Sequence, residues 1–573
     1  MDLPSKKCSI VLICMLIIFV ACNEKKVTDE GYVITNPSSK DEAVQTTIES
    51  ILANIANNNF KLDSTNIDYF KVIQNYYEKT DHLPVWSSNN RWNAAANSLV
   101  TYLKNAQLQG LFPADYNYNS IQNLKTLLDK DSLNKQPSSV WANADVLMTN
   151  AYMGLLKDLK QGRLVSDTFS WANDTSKYNK YFGLQLEKAK QSNKLDTLLE
   201  NVQPKHEGYV LLKKGIKKFV DSMDNRSYTY VTYPLKDSMA GTRALKKRLT
   251  EAGVNIETTG ITKTVPDSVR RFNPDSIALS NAIKQYQKKV GLTVDGKLGA
   301  SLAKKLNTSD KQRFNTIAIS LDRYKLLPEK MPTKYIWVNL PAYYLKVYEN
   351  DTVALESRVI VGKQATPTPT LTSDISDIVL YPTWTVPTSI ITKDMLPGLK
   401  RNPSYLERRG LYLLNGKGKK IDPYNVNWEK YTTGIPYRIQ QGSGNSNALG
   451  VVKFNFLNPY SVYLHDTNQR YLFKNGVRCL SHGCVRVQEW KELANYIIRN
   501  DSMLLPKGDT LLCNTDSIKN WMAEKINRKV DVKNKMPLFI RYIGCEYVNG
   551  SIKFYDDIYY DDRDMKQKYF ANK

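Results

Sequence analysis

Cys484 sits in the run Ser481-His482-Gly483-Cys484-Val485-Arg486, and His465 lies upstream in Leu464-His465-Asp466-Thr467. The chain holds 4 histidines, and two of them, His465 and His482, lie shortly before this cysteine. A free thiol titrates near ~8.5, so it needs a base to act as a nucleophile at neutral pH, and an imidazole can take that proton. A glycine just before the cysteine lets the backbone approach a reacting carbonyl closely. The pattern reads as cysteine acyl transfer, with Cys484 as nucleophile and His465 as general base. Main-chain N–H groups of His482, Gly483 and Cys484 are expected to shape an oxyanion pocket. The His465 ring is expected to make a second hydrogen bond to a main-chain carbonyl near Asp466 or Ser481. Asp466 itself is disfavoured as a third member, because adjacent strand residues point to opposite faces. The two histidines lack the companion ligands of a zinc site, so no metal and no cofactor is expected.

The elements that must position these groups belong to a long chain. At 573 residues several domains are expected, and 42% hydrophobic residues supply packed interiors. The formal charge of +24 first suggests nucleic acid, but no nucleic-acid motif or dense basic tract accompanies it, so that partner is set aside. An anionic polymer or membrane surface fits better. At the N-terminus, Lys6 and Lys7 precede an apolar run from Ile10 to Ala21, which is short for a bilayer span. The run ends in Phe19-Val20-Ala21-Cys22 and resembles a lipobox, with cleavage before Cys22 and lipidation of its thiol. An ordinary signal peptide and an uncleaved anchor are the alternatives, and all three export the protein. The other cysteines outside the leader and the reactive loop, Cys479, Cys513 and Cys545, show no paired spacing, and a Cys513–Cys545 bond stays open.

His-Asp-Thr, a gap, then Ser-His-Gly-Cys-Val-Arg resembles the active-site signature of the L,D-transpeptidases with a YkuD-type catalytic domain. The likeness extends to Val338-Asn339-Leu340-Pro341-Ala342-Tyr343, Thr383-Trp384-Thr385-Val386-Pro387 and Asn447-Ala448-Leu449-Gly450-Val451-Val452-Lys453-Phe454. It covers residues from about 60 onward and points to the large multidomain subfamily. The implied fold is multidomain α+β. It comprises an α-helical scaffold, a small helical peptidoglycan-binding domain and a mainly-β catalytic domain with a sandwich-like core. Ser481 and Arg486 follow the family motif, and Arg486 either holds a substrate carboxylate or orders the loop. Asn468 stands where the family often shows proline after His-Asp-Thr.

The chain divides accordingly. Residues 1–22 form the leader and 23–58 a flexible tether. Residues 59–230 form the scaffold, where Leu99, Tyr102, Leu103 and Ala106, then Met148, Tyr152, Leu155 and Leu159, make helical stripes. Residues 235–308 form the peptidoglycan-binding unit, with a Leu279, Ile283, Tyr286, Val290 stripe and a turn at Asp295-Gly296. A helix in 309–332, with Ala318 to Leu327 as its clearest part, returns to the scaffold. Residues 333–515 form the catalytic domain, with 388–437 as a lid or a plain surface insertion, and 516–573 pack on it as an extension. The implied reaction expels the terminal D-alanine of a donor tetrapeptide stem and passes the acyl group from Cys484 to the side-chain amine of a second stem, a 3→3 cross-link. Carbapenems are expected to acylate the same thiol. Stem peptides, the membrane through Cys22, and other cell-wall synthases are the implied partners, and the periplasm the implied location. An L,D-carboxypeptidase or hydrolase using the same site, and a non-catalytic wall-binding lipoprotein, are the rival readings.

Overall fold

The computed structural model describes residues 26–27, 33–34, 38–131, 135–164, 175–235, 238–256, 274–503 and 514–570. The leader with Cys22, and Cys513, lie outside these. The chain divides into two compact units, the first running to Gln203 apart from two short segments, the second from Pro204 onward with those segments.

The first unit is helical: α1 (Ser39–Asn57), α2 (Phe70–Lys79), α3 (Ala94–Lys104), α4 (Tyr118–Asp129), α5 (Ser138–Lys160), α6 (Thr175–Gln191) and α7 (Leu195–Asn201). The buried α5 carries Met148, Tyr152, Leu155 and Leu159 into the core as the spacing requires. The tether expected over 23–58 is corrected by α1. Ser38 caps it by accepting the Asp41 N–H, and Val44, Ile48, Leu52 and Ile55 form a buried stripe against α5. That stripe is sparse and set among polar residues, which is why the segment reads as a linker.

The second unit opens with α8 (Glu207–Asp221), then α9 (Ser238–Glu251), α10 (Pro274–Lys289) and α11 (Ala300–Asn307). The last three share a small core of Leu245, Leu249, Ile283, Tyr286, Leu302 and Leu306. Its turn is held by Gln287, whose Oε1 accepts the N–H groups of Asp295 and Gly296 and whose Nε2 donates to Asp295 at 2.7 Å. The following helix α12 (Asp310–Lys325) starts well before Ala318, because Ser309 and Gln312 form a reciprocal capping box. It packs on α8.

From residue 334 the chain becomes mainly β: β1 (Lys334–Asn339), β2 (Tyr344–Glu349), β3 (Thr352–Gly362), β4 (Leu371–Leu380), β5 (Trp384–Thr385), β6 (Leu411–Leu414), β7 (Lys420–Ile421), β8 (Arg438–Gln441), β9 (Val452–Phe456), β10 (Leu464–His465), β11 (Cys479–Ser481), β12 (Val485–Val487), β13 (Arg528–Arg541), β14 (Cys545–Val548) and β15 (Ser551–Phe554). Nine strands neighbour in the order β11-β3-β12-β10-β9-β4-β13-β1-β2, and β2 pairs again with β3, so the expected sandwich is a sheet closed on itself. Alternation sorts its residues into two faces. Ile336, Val338, Leu345, Val347, Phe454, Leu464, Val485 and Leu538 fill one core together with Leu493 and Ile497 of α13 (Trp490–Met503). The intervening residues, Lys453, His465 and Arg486 among them, face the other way.

Two boundaries change. The segment 516–573 is no mere extension, since β13 lies between β4 and β1 inside the sheet, its alternating Val530, Val532, Leu538 and Ile540 all in the core. Likewise 388–437 is more than a loop. With β5 and β8 it folds into a four-stranded sheet in the order β5-β8-β6-β7, whose own core contains Val386, Leu399, Leu413, Trp428 and Ile439.

Candidate active site

Parallel pairing of β10 with β12 sets Leu464 beside Val485 and His465 beside Arg486, and the Val485 N–H donates to the Tyr463 carbonyl at 3.1 Å. Cys484, just before β12, therefore lies level with Tyr463, on the face that carries His465. Antiparallel pairing of β9 with β10 sets Lys453 opposite His465. Neighbouring strands thus gather Cys484, His465, Tyr463, Lys453 and Arg486 from three segments.

The loop holding the cysteine is tightly bonded. The Ser481 hydroxyl donates to the Cys484 carbonyl at 2.6 Å and accepts the Gly483 N–H at 3.2 Å. The Thr368 hydroxyl donates to the Gly483 carbonyl at 2.8 Å. Gly483 sits at φ +120°, in the region that favours glycine. One expectation is corrected here: the Gly483 N–H is spent on Ser481 and is not a free oxyanion donor. The N–H groups of His482 and Cys484 carry no such partner among the described residues.

His465 is only 4% exposed; its Nδ1 has no close hydrogen-bond partner, while the main-chain carbonyls of Asp466 and Leu449 favour its proton, in line with an acceptor near Asp466. Burial, aided by Arg486, lowers its pKa to about 3, so the ring is neutral at pH 7. Burial pushes the Cys484 thiol up, while the Tyr463 main chain and hydroxyl, Lys453 and Arg486 pull it back. Both groups therefore rest uncharged, a thiol and an imidazole on one sheet face rather than an ion pair. Lys453 and Arg486 are themselves lowered by burial, with Cys484 opposing the shift in each. Arg486 donates to Gln469 Oε1 at 3.1 Å and leaves its Nε buried and unpaired. Cys479, Cys484 and Cys545 are free thiols.

Asp466 faces away from this group. Its carboxylate accepts the Val451 N–H at 3.0 Å and is gripped by the Arg470 guanidinium at 2.5 and 2.9 Å. A Cβ on Gly450 would lie 2.2 Å from its Oδ2, so the glycine admits the carboxylate. Asp466 thereby ties the 447–451 turn to the segment after β10, and Asn468 adds a bond to the Ser446 carbonyl at 2.9 Å. His482 Nε2 meets Asp394 of the 384–441 subdomain. Sequence reasoning assigned no role to Tyr463 or Lys453. Tyr463 stacks edge-on against His465 at 5.6 Å between ring centroids, and the Lys453 ammonium lies 4.1 Å over the Tyr463 ring. The available signal was the alternation Val452-Lys453-Phe454, which puts the lysine on the polar face. Among the described residues no cluster of His, Cys, Asp and Glu could hold a metal ion.

A mainly-β domain that offers a thiol, an imidazole and two cations on adjacent strands, following a helical region in the chain, makes this a multidomain α+β protein. Residues 333–510 match the YkuD family, the L,D-transpeptidase catalytic domain, and residues 71–216 match the Scaffold domain family. The chain carries an L,D-transpeptidase catalytic domain joined to a scaffold domain. A curated "Putative L,D-transpeptidase" of Haemophilus influenzae is 34% identical over 249 residues, which is 44% of this chain and 48% of that protein. The chain thus spans about half the length of this curated relative. Among solved structures, the Ldtfm-avibactam carbamoyl enzyme aligns with 46% of this chain and 80% of its own at 12% identity and a TM-score of 0.17. A mutant Enterococcus faecium L,D-transpeptidase aligns with 47% and 90% at 11% identity and a TM-score of 0.15. Neither likeness is close enough to inform the geometry.

Proposed function

We propose that the protein is a peptidoglycan L,D-transpeptidase that forms 3→3 cross-links through a thioester on Cys484. The observation that carries this reading is the half-buried Cys484 thiol just before β12, on the sheet face that also carries the neutral His465, inside a segment that matches the L,D-transpeptidase catalytic domain. His465 accepts the thiol proton as the sulfur attacks the carbonyl at the L-centre of position three of a tetrapeptide stem. The C–N bond to the terminal D-alanine breaks, and the proton on His465 passes to the departing amine. The side-chain amine of a second stem then attacks the thioester, the C–S bond breaks, and the thiol is restored. N–H groups of His482 and Cys484 supply the oxyanion donors, and removing such a donor typically costs ~10²–10³ in rate. Lys453 and Arg486 favour the thiolate as it forms. Ser481 and Gly483 shape the loop, and Arg486 is also placed to meet a stem carboxylate.

The 384–441 subdomain acts as the lid, the α9–α11 unit binds the wall polymer, and lipidation at Cys22 holds the protein to a membrane facing the periplasm. Among the described residues no helix is long and apolar enough to cross a membrane. Mass spectrometry with a disaccharide-tetrapeptide substrate tests the proposal on wild type and Cys484→Ala. A 3→3 dimer with released D-alanine, absent in the variant, supports it. D-alanine with tripeptide alone makes the protein a carboxypeptidase, and no turnover by either protein removes the enzyme reading.

A further inference from the structure

The second unit holds a cavity of about 620 Å³ that the reaction leaves unused. This is within the ~300–1,000 Å³ of small-ligand pockets. It is built on the face of β1, β2 and β3 that turns away from the apolar core. Register sets Trp337 beside Lys346, Lys346 beside Glu356 and Tyr344 beside Arg358. The start of α8 and the β14–β15 hairpin supply the remaining walls. His206 lies against Tyr324 and Trp337, with ring centroids at 5.0 and 5.4 Å.

Three features of the lining bear on what it could hold, and of the side chains concerned Arg358 and Glu207 are exposed. His206 Nδ1 accepts the Gly208 N–H at 3.0 Å, so the neutral ring carries its proton on Nε2, and that atom is buried without a partner. Arg358 and Arg478 stand close enough to repel each other, yet neither has an ion-pair partner among the described residues. Arg478 spends its donors on the carbonyls of Val359, Asn475 and Tyr343, whereas Arg358 makes only one long contact, to the Phe473 carbonyl at 3.4 Å. On the acidic side, Glu546 is taken by the hydroxyls of Tyr344 and Tyr555, and Glu356 faces Lys346 at 3.8 Å, while Glu207 and Glu489 remain.

We propose that this cavity binds a short peptide bearing both a free carboxylate and an ammonium group, a second stem peptide held apart from the one at Cys484. The largely unmatched Arg358 guanidinium, with the Arg478 charge beside it, suits a planar carboxylate, which a neutral glycan does not offer. The free glutamates suit the amine, and the His206 N–H meets a peptide carbonyl. The peptide identity rests on the transpeptidase reading, since stem peptides are the substrates there.

The test uses the full chain as Cys484→Ala and titrates it calorimetrically with a synthetic sugar-free tetrapeptide stem. Two binding sites are expected. Arg358→Met should weaken one of them about tenfold, and His206→Phe the same one by roughly three- to tenfold, with unchanged melting temperatures. A single site in the parent, or two sites indifferent to both variants, overturns the proposal. So does displacement of the second peptide by a peptide-free disaccharide. Should wild type release no D-alanine while these two sites persist, the transpeptidase reading fails and the cavity assignment stands.

Discussion

Around Asp145 in the helical unit, buried polar atoms are matched one to another. The carboxylate accepts the Val85 N–H at 3.0 and 3.1 Å, the Trp86 N–H at 2.9 Å and the Tyr77 hydroxyl. Thr149 takes the Trp86 indole N–H at 3.0 Å and bonds Tyr77 at 2.9 Å. Around the half-buried Cys484, the atoms His465 Nδ1 and Arg486 Nε are buried without close hydrogen-bond partners. There the thiol is pushed up and the imidazole, lysine and guanidinium pushed down, each toward its uncharged form. A satisfied cluster stabilises the fold, because orphaning any member exposes the others to the desolvation penalty. An unsatisfied one holds groups in readiness for a ligand that completes them, at some loss of stability. The two regions are thus the same chemistry turned to opposite ends.

The contrast is sharpest at His465. His465→Gln should lower kcat/KM by ~10²–10⁴, as loss of a general base does, while leaving stability at pH 7 nearly unchanged. It also carries a pH signature. The folded pKa of about 3 lies below the ~6.5 of an unfolded histidine, so the unfolded state binds the extra proton first. The stability of wild type is therefore full above pH ~6.5 and falls as the pH drops toward about 3. Urea unfolding at pH 7 and 5 should show a smaller loss in the variant, with His206, lowered to about 4, supplying part of the remainder. Equal losses in both proteins would break the comparison.

Asp145→Ala should do the reverse. It strands two main-chain N–H groups and a phenol, at about 1–3 kcal/mol for each buried donor left unpaired, so about 3–5 kcal/mol in all once water enters. Urea denaturation reads this directly, and a loss under ~1 kcal/mol would show that the cluster is not what holds this region together.

The reactive loop was legible because nucleophile chemistry needs few residue types at short spacing, and Ser481-His482-Gly483-Cys484 with His465 supplies them within one stretch. Helices with dense stripes, such as α5, were legible for the same local reason. What escaped depends on pairing between distant segments. Lys453 reaches the site only through the β9–β10 register, and Tyr463 only through its level with Cys484. Residues 516–573 read as an extension packed on the catalytic domain, but nothing local in 528–541 says that they insert between β4 and β1. The sparse stripe of α1 becomes informative only once α5 is there to receive it. The loss of Gly483 as an oxyanion donor turns on one rotamer of Ser481, which sequence does not encode visibly.

Lys453 sharpens the comparison within the site. Its ammonium favours the Cys484 thiolate against burial, so Lys453→Met removes one of the groups that oppose desolvation and leaves Tyr463 and Arg486 as the others. Alkylation of Cys484 by iodoacetamide at pH 7 should slow by roughly 3–10-fold, with the rate profile displaced to higher pH. An unchanged or faster reaction would mean that the lysine serves the Tyr463 ring and not the sulfur.

The smallest effect is expected where the site meets solvent. His482 and Asp394 join the reactive loop to the 384–441 subdomain, with side chains 34% and 45% exposed. Pairs this exposed are worth about 0.2–1 kcal/mol, or at most a few-fold in a rate or affinity. If the pair keeps the subdomain over the stem during binding, Asp394→Asn should raise KM about 2–5-fold and leave kcat almost untouched, because the asparagine touches no reacting atom. Salt separates this from a packing effect: the screening length falls to ~3 Å at about 1 M, so wild type and variant should converge there. A KM difference that survives high salt would place the effect in shape rather than charge. A matching fall in kcat would instead put the His482 side chain, and not only its main-chain N–H, among the groups that the reaction itself uses.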